Sequence, residues 1–376
     1  MKSVVIIVLI IVASFFSCVD KKDKDVRSRH NSRVESALFS IVQNKGFKVV
    51  HVFKDNFHQD TLFNYVLYHR GEIKPSVNFS AVYIETPVRR VACLSNIYVG
   101  CLTRLGLTHT IVGVDDAKNI CNAEVRQGVA SGQIQELNVG ENLNIEKVLL
   151  LHPDIIFRFG TGNELLDFPE LLKQSDIPVA ISLDYREANP LIRASWLKFV
   201  AAFFEMDSDA DSILNTINQN YNSLNEKVRN TSFHPTVVTE VPYKEVWYVP
   251  GGKSYMAALL KDAGANYLWA DDQHEGSLAL SFEQVFKKAV NADFWLNVQH
   301  CKTINEVENY DSRNKKFKAF LNRNIYNNDL RNTKSGAFAY WETGLISPDE
   351  LLADLISIFH PELLPNRQFR YYRKLN

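Results

Sequence analysis

Asn144-Ile145-Glu146-Lys147-Val148, followed by His152-Pro153-Asp154-Ile155-Ile156-Phe157, is the stretch that decides the fold. Asn144 is a capping residue ahead of a short helix, and an apolar strand comes next. The same grammar returns as Ser281-Phe282-Glu283-Gln284-Val285 and then Ala292-Asp293-Phe294-Trp295-Leu296. Working outward, Asn96-Ile97-Tyr98 opens a helix that Gly106 ends, and the strand Thr110–Val114 runs into Asp115-Asp116. Their counterparts are Lys253-Ser254-Tyr255, Gly264, and Tyr267-Leu268-Trp269-Ala270 running into Asp271-Asp272. These three pairs are offset by 156 to 158 residues, whereas Glu146/Glu283 and Asp154/Asp293 are offset by 137 and 139. A near-constant offset, broken once by a loop of different length, predicts two similar α/β lobes.

Between the copies lie Leu191–Phe204 and Ser208–Arg229, the latter with Ile213, Ile217, Tyr221, Leu224 and Val228 at helical spacing. Ser208 is the expected cap, with Asp209 and Asp211 suited to the first turn. At ~1.5 Å per residue this second segment makes a rod of ~30 Å, the width of a small domain. Two α/β lobes joined by one long α-helix enclose a cleft, and such clefts are where small ligands bind.

Ahead of the lobes, residues 33–88 alternate apolar and polar positions (Phe47–Phe53, Phe63–Tyr68), which predicts a small β-rich extension. At the N-terminus Lys2 precedes a thirteen-residue apolar run, Val4–Phe16, too short to span a bilayer and right for a signal peptide. Ser17-Cys18 resembles a bacterial lipobox, with Phe15 where such boxes usually carry Leu, so Cys18 is the expected lipidation site and membrane anchor. The organisation is then signal peptide 1–17, solvated tether 18–32, extension 33–88, N-terminal lobe 89–190, linking helices 191–230 and C-terminal lobe 231–376.

With 42 Lys+Arg against 43 Asp+Glu among 376 residues, the net charge of −1 implies no polyanion-binding surface, and nucleic acid is not an expected partner. Sixteen Gly and twelve Pro exclude collagen-like and largely disordered classes. Cys93, Cys101, Cys121 and Cys301 read as buried thiols, with a disulfide open in an oxidising compartment. No CxxC occurs and the histidines are scattered singly, so no metal site is expected.

The chain from Val91 onward resembles the class III periplasmic substrate-binding lipoproteins of ABC importers, the siderophore, haem and vitamin B12 type. The resemblance rests on Gly140–Val148 with His152–Ile156, on Asn189–Phe199, on Trp247–Tyr255, and on Tyr340-Trp341-Glu342 with Ile358–Pro365. It implies a lipid-anchored periplasmic receptor with no intrinsic cofactor, carrying a metal chelate (ferric siderophore, haem or cobamide) as cargo to ABC permease subunits. The family docks on its permease through one glutamate per lobe. Glu146 and Glu283 occupy those matched places, each in the exposed first turn of a helix, where Arg pockets would receive them. Plain helix-terminus electrostatics is the simpler alternative.

Candidate ligand contacts follow from strand ends that face a crevice. The first copy offers Ser95, Asn96 and Tyr98, then Arg158, Tyr185 and Arg186. The second offers Tyr243, Trp247 and Tyr248, with Gly251 and Gly252 permitting close backbone approach. Aromatic faces suit a flat chelate, and Arg158 or Arg186 would meet anionic groups. Trp196 and Trp295 read as core, and Asp115-Asp116 and Asp271-Asp272 as turns, the latter with a weak metal hint at His274. A scavenging lipoprotein without a permease is the alternative. An enzyme on the same frame is disfavoured by the lack of a P-loop, a dinucleotide fingerprint or a G-x-S-x-G elbow.

Overall fold

A computed structural model describes residues 36–55, 60–139, 142–160 and 175–376. The signal peptide, Cys18 and the tether lie outside the described residues. Strands β1 (Phe39–Gln43), β2 (Phe47–Phe53), β3 (Thr61–His69) and β4 (Val82–Thr86) form one sheet in that order. The first three are antiparallel, but β4 runs parallel to β3. The extension is not an appendage: Leu38, Phe39, Val50, Val52, Tyr65 and Leu67 belong to the same core as both lobes.

The N-terminal lobe contains β5 (Val91–Cys93), α1 (Asn96–Arg104), β6 (Ile111–Val114), α2 (Ala123–Ala130), β7 (Gln135–Glu136), α3 (Ile145–Leu151), β8 (Ile155–Phe159) and β9 (Val179–Ser182). Its sheet is wholly parallel, in the order β9-β8-β5-β6-β7. Strand β5 and the first three residues of β8 are buried on both faces, so Val91–Cys93 and Ile155-Ile156-Phe157 read as unbroken apolar runs.

Two helices follow, α4 (Pro190–Ala202) and α5 (Asp207–Val228). The Asn189 side chain caps α4 by accepting from the amides of Leu191 and Ile192, with Pro190 in the first turn. Glu205, at φ 59°, turns the chain between the two helices. The cap expected of Ser208 falls one turn-position too late: α5 already begins at Asp207, Met206 stands at the cap without a side-chain bond, and Asp207 and Asp209 occupy the first turn. Helix α4 is enclosed because the extension covers it on one side and the lobe on the other. Trp196, Phe199 and Phe203 mesh there with Phe39, Tyr65 and Phe157 at ring-centroid distances of 4.6 to 6.4 Å. Burial of each such ring stabilises by roughly 1.5–3 kcal/mol.

The C-terminal lobe holds β10 (Thr236–Thr239), β11 (Trp247–Pro250), α6 (Tyr255–Asp262), β12 (Asn266–Tyr267), β13 (Ser277–Leu280), α7 (Phe282–Ala289), β14 (Phe294–Leu296) and β15 (Ile325–Asn327). Then come α8 (Ala339–Glu342), α9 (Pro348–Phe359) and β16 (Arg373–Lys374). The main sheet runs β12-β10-β14-β15-β16, parallel except for the last pair. Laid beside β6-β5-β8-β9 it repeats the same strand order, so the duplicated markers correspond to a duplicated topology. Each copy also carries a short antiparallel pair, β11 with β13 in the C-terminal lobe and Asn138–Val139 with Asn142–Leu143 in the N-terminal lobe. Helix α9 packs on α5 and α4, which ties this lobe to the linking helices.

Candidate ligand cleft

The C-terminal ends of β5, β6 and β8 in one lobe and of β14 in the other converge on a cavity of about 250 Å³. Leu94, Ser95, Asn96, Asp115, Asn119 and Phe159 form its first wall; His300, Gly336, Ala337, Phe338 and Trp341 form the second. Ligand sites in open α/β sheets lie at such strand ends. Phe159 and Trp341 are 46% and 48% exposed, an uncommon condition for large aromatic rings and one suited to stacking a ligand. Tyr185 stands edge-on to Phe159 at 6.4 Å and extends the same aromatic surface.

The lobes are joined beside the cavity. The Glu342 carboxylate of α8 accepts from the Cys121 amide at 2.5 Å, and the Ser335 hydroxyl donates to the Lys118 carbonyl at 3.0 Å. Helix α8 lies so close to α1 that a Cβ on Gly100 would sit 1.8 Å from the Glu342 carbonyl oxygen. Only glycine fits there. Burial pushes the Glu342 carboxyl up to about 7.

At the ends of β10 and β14 three residues other than glycine take positive φ: Glu240 (66°), Asn297 (58°) and Gln299 (53°). Backbone strain of this kind costs of order 1–3 kcal/mol per residue and concentrates at functional sites. The Gln299 amide donates to the Glu240 carboxylate at 3.3 Å, and burial pushes that carboxyl up to about 7. Asp115, at the end of β6, is raised to about 6, again by burial, and its Oδ1 has no partner among the described residues.

The structure brings only part of the sequence-derived set together. Ser95 and Asn96 are in the wall, with the Asn96 amide donating to the Asn119 carbonyl at 3.5 Å. Tyr98 is buried instead, hydrogen-bonded through its hydroxyl to Ser182 at 2.8 Å and stacked on Phe157 at 5.3 Å. Ser182 continues to Asp184, which pairs with Arg193, so Tyr98 ends a chain of polar groups inside the molecule. Arg158 is partly buried beside Phe159 and outside the cavity lining. Arg186 donates to the Lys54 carbonyl at 2.7 Å, fastens the extension to the lobe and lies outside the cavity lining.

In the second copy, Trp247 is a core residue: its indole donates to the Thr239 carbonyl at 2.9 Å and stacks on Trp295 at 5.6 Å. The cause is strand parity, since Trp247 and Val249 point inward while Tyr248 points out. Tyr243 and Tyr248 are exposed but lie outside the cavity lining. Gly251 and Gly252 do permit close approach, but to this chain's own backbone: a Cβ would lie 2.2 Å from the His274 carbonyl oxygen and 2.3 Å from that of Asp272. The Asp272 carboxylate accepts from the His274 amide at 2.8 Å, a local turn. Among the described residues no group of three or more His, Cys, Asp or Glu could hold a metal ion.

Glu146 and Glu283 both stand exposed in the first turn of their helices, α3 and α7. Asn144 and Ser281 cap those helices, accepting from the amides of Lys147 and Gln284. Glu283 pairs with Arg313 at 2.8 Å; its own backbone amide and then Arg313 hold its carboxyl below the usual range. The four described cysteines are free thiols, which removes the disulfide alternative, and burial raises all of them, Cys121 to about 12 and Cys301 to about 11. No helix of the described residues is long and apolar enough to cross a membrane.

Sequence reasoning missed His300, Phe338 and Phe159. Phe159 carried a signal, an aromatic residue two places beyond the apolar run Ile155-Ile156-Phe157; His300 and Phe338 sit in loops without one.

Comparison with known proteins agrees with this geometry. A family model for periplasmic binding proteins matches residues 91–342. An uncharacterized lipoprotein of Methanocaldococcus jannaschii is 24% identical over 306 residues, 78% of this chain and 70% of that protein. Among solved structures, a possible iron-binding (periplasmic solute-binding) protein of Staphylococcus epidermidis has a TM-score of 0.54 at 20% identity, covering 73% of this chain and 99% of its own. The periplasmic vitamin B12 binding protein of Vibrio cholerae has a TM-score of 0.51 at 14% identity, covering 75% and 99%.

Proposed function

The chain belongs to the periplasmic binding protein family, and from that premise we propose that it captures a metal chelate between its lobes and delivers it to an ABC permease. The cargo class is a ferric siderophore, haem or a cobamide. The observation that carries this reading is the cavity at the strand ends, where both lobes contribute aromatic and polar groups to one wall-to-wall space. At about 250 Å³ it is below the ~300–1,000 Å³ of sites that enclose a drug-sized ligand, so a macrocycle would be held by one face and left partly in solvent. Junctions at Gly100, Glu342 and Ser335 favour a receptor whose lobes shift little on binding. Lipid on Cys18 would keep it beside the membrane, with Glu146 and Glu283 presented to the permease.

The test is uptake together with binding. Glu146→Arg with Glu283→Arg is expected to abolish uptake of the bound chelate while its affinity for the purified protein stays within about twofold of the parent. Unchanged uptake removes permease docking and favours the second reading, a surface scavenger that hands its ligand to another acceptor. That reading draws on one observation: Glu283 is already engaged by Arg313.

A further inference from the structure

An anionic chelate calls for cationic side chains such as Arg158 or Arg186, yet neither lies in the cavity lining. Among the described residues no lysine or arginine lines the cavity. Arg186 is turned onto the extension, donating to the Lys54 carbonyl at 2.7 Å, and Arg193 is paired with Asp184 at 3.2 Å. Lys118, next to the wall residue Asn119, pairs with Asp116 at 2.6 Å. The nearby Arg126 and Arg331 bear on the carboxylate of Glu342. The titratable side chains in the wall are Asp115 from one lobe and His300 from the other.

Asp115 lies at the end of β6, in the same wall as Asn96, at the start of α1, and Asn119, whose turn is capped by the Asp116 side chain. One of its oxygens is buried with no hydrogen-bond partner, an arrangement that costs stability unless a ligand group or the cleft's field compensates. Burial raises its carboxyl to about 6, which still leaves it mostly ionised at neutral pH. A carboxylate in a wall that also carries the apolar Phe159 and Leu94 projects its field into the space a ligand would occupy.

We propose that this cleft selects neutral or cationic metal chelates and rejects polyanionic ones, and that Asp115 sets the preference. The inference rests on the chelate-receptor reading and narrows its cargo by charge. A chelate carrying a positive charge is favoured by the field of Asp115, while Phe159 and Trp341 cover its apolar face. A polyanionic complex would bring like charges together at the same wall.

Trp341 lets the idea be tested on the intact mature protein. It is half-exposed in the wall, whereas Trp196, Trp247, Trp269 and Trp295 are buried, so quenching of tryptophan emission reports on the cleft. Three ferric probes are titrated at fixed ionic strength: ferrioxamine B, a monocation; ferrichrome, a neutral complex; and ferric enterobactin, a trianion. The trianion is expected to bind at least tenfold more weakly than the monocation. Asp115→Asn should shrink that ratio to about twofold, and Asn119→Lys, which places a cation in the same wall, should reverse it. Tightest binding of the trianion, or a ratio untouched by both substitutions, overturns the inference and leaves the receptor reading standing. If these probes, haemin and cobinamide all fail to bind, the receptor reading falls and takes this inference with it.

Discussion

The helices α3 and α7 hold equivalent places in the two lobes, and the difference between them is electrostatic rather than geometric. Each is capped by a side chain three residues before the amide it satisfies, and each carries its glutamate in the first turn. Glu146 has no ion-pair partner among the described residues, whereas Glu283 is held by Arg313, itself bound to Asp311 at 2.6 Å and lying 3.7 Å over the Phe282 ring. Duplication has preserved where the carboxylate stands and not what it stands beside. A permease arginine would meet Glu146 directly and would have to exchange with Arg313 to reach Glu283.

The largest expected effect separates the two glutamates. Glu146→Arg alone should lower uptake about as far as the double reversal, while Glu283→Arg alone leaves a measurable remainder; equal losses from the two single variants would erase the asymmetry. Next comes the contrast between Gly100, two residues after Tyr98, and Ala257, two residues after Tyr255. Gly100→Ala drives a methyl into the Glu342 carbonyl and should cost about 3 kcal/mol by denaturant titration. Ala257→Gly loses helix propensity and a buried methyl and should cost only about 1–2 kcal/mol.

A third prediction concerns pH and sets the raised buried carboxyls of the cleft region against the lowered exposed ones. Glu240 and Glu342 lie at about 7 in the folded protein, above the ordinary glutamate value, so the folded state holds their protons more tightly. Their contribution is fully present below the unfolded value near 4.5 and is lost as pH rises through about 7. Melting temperature should therefore be higher at pH 5.5 than at pH 7.5, and Glu240→Gln with Glu342→Gln should flatten the difference. The lowered carboxyls of exposed Glu283 and half-buried Asp311 act only at more acid pH, where protonation releases Arg313. The smallest effect is that of Arg313→Ala, which frees Glu283 and should change docking affinity no more than about fivefold, since exposed ion pairs contribute little.

Much of the fold was legible because it is written twice. Gly106 and Gly264, at φ 74° and 77°, end their helices in both copies, and the caps at Asn144, Asn189 and Ser281 all make the bonds their residue types predict. The cleft was legible only where it coincides with a strand end, as at Ser95 and Asn96. Trp247 was assigned to the ligand because its aromatic neighbours share its run, but strand parity decides orientation and one position separates core from surface. The contact of Arg186 with Lys54, 132 residues away in the extension, is one that no local pattern announces. The wall residue His300 follows two strained residues, Asn297 and Gln299, that no periodicity announces.

The placement of the extension bears on how the chain comes to be folded. Tyr65 accepts at its hydroxyl from the Ile181 amide, 116 residues later, and Phe39 packs on Trp196 at 4.6 Å. A chain that emerges N-terminus first shows β1 to β4 to solvent before α4 exists to cover them. Their apolar face must wait, since contacts of such long sequence separation form late and slowly. During that interval the uncovered sheet is the part of the molecule most exposed to wrong association, and the arrival of α4 closes the vulnerability.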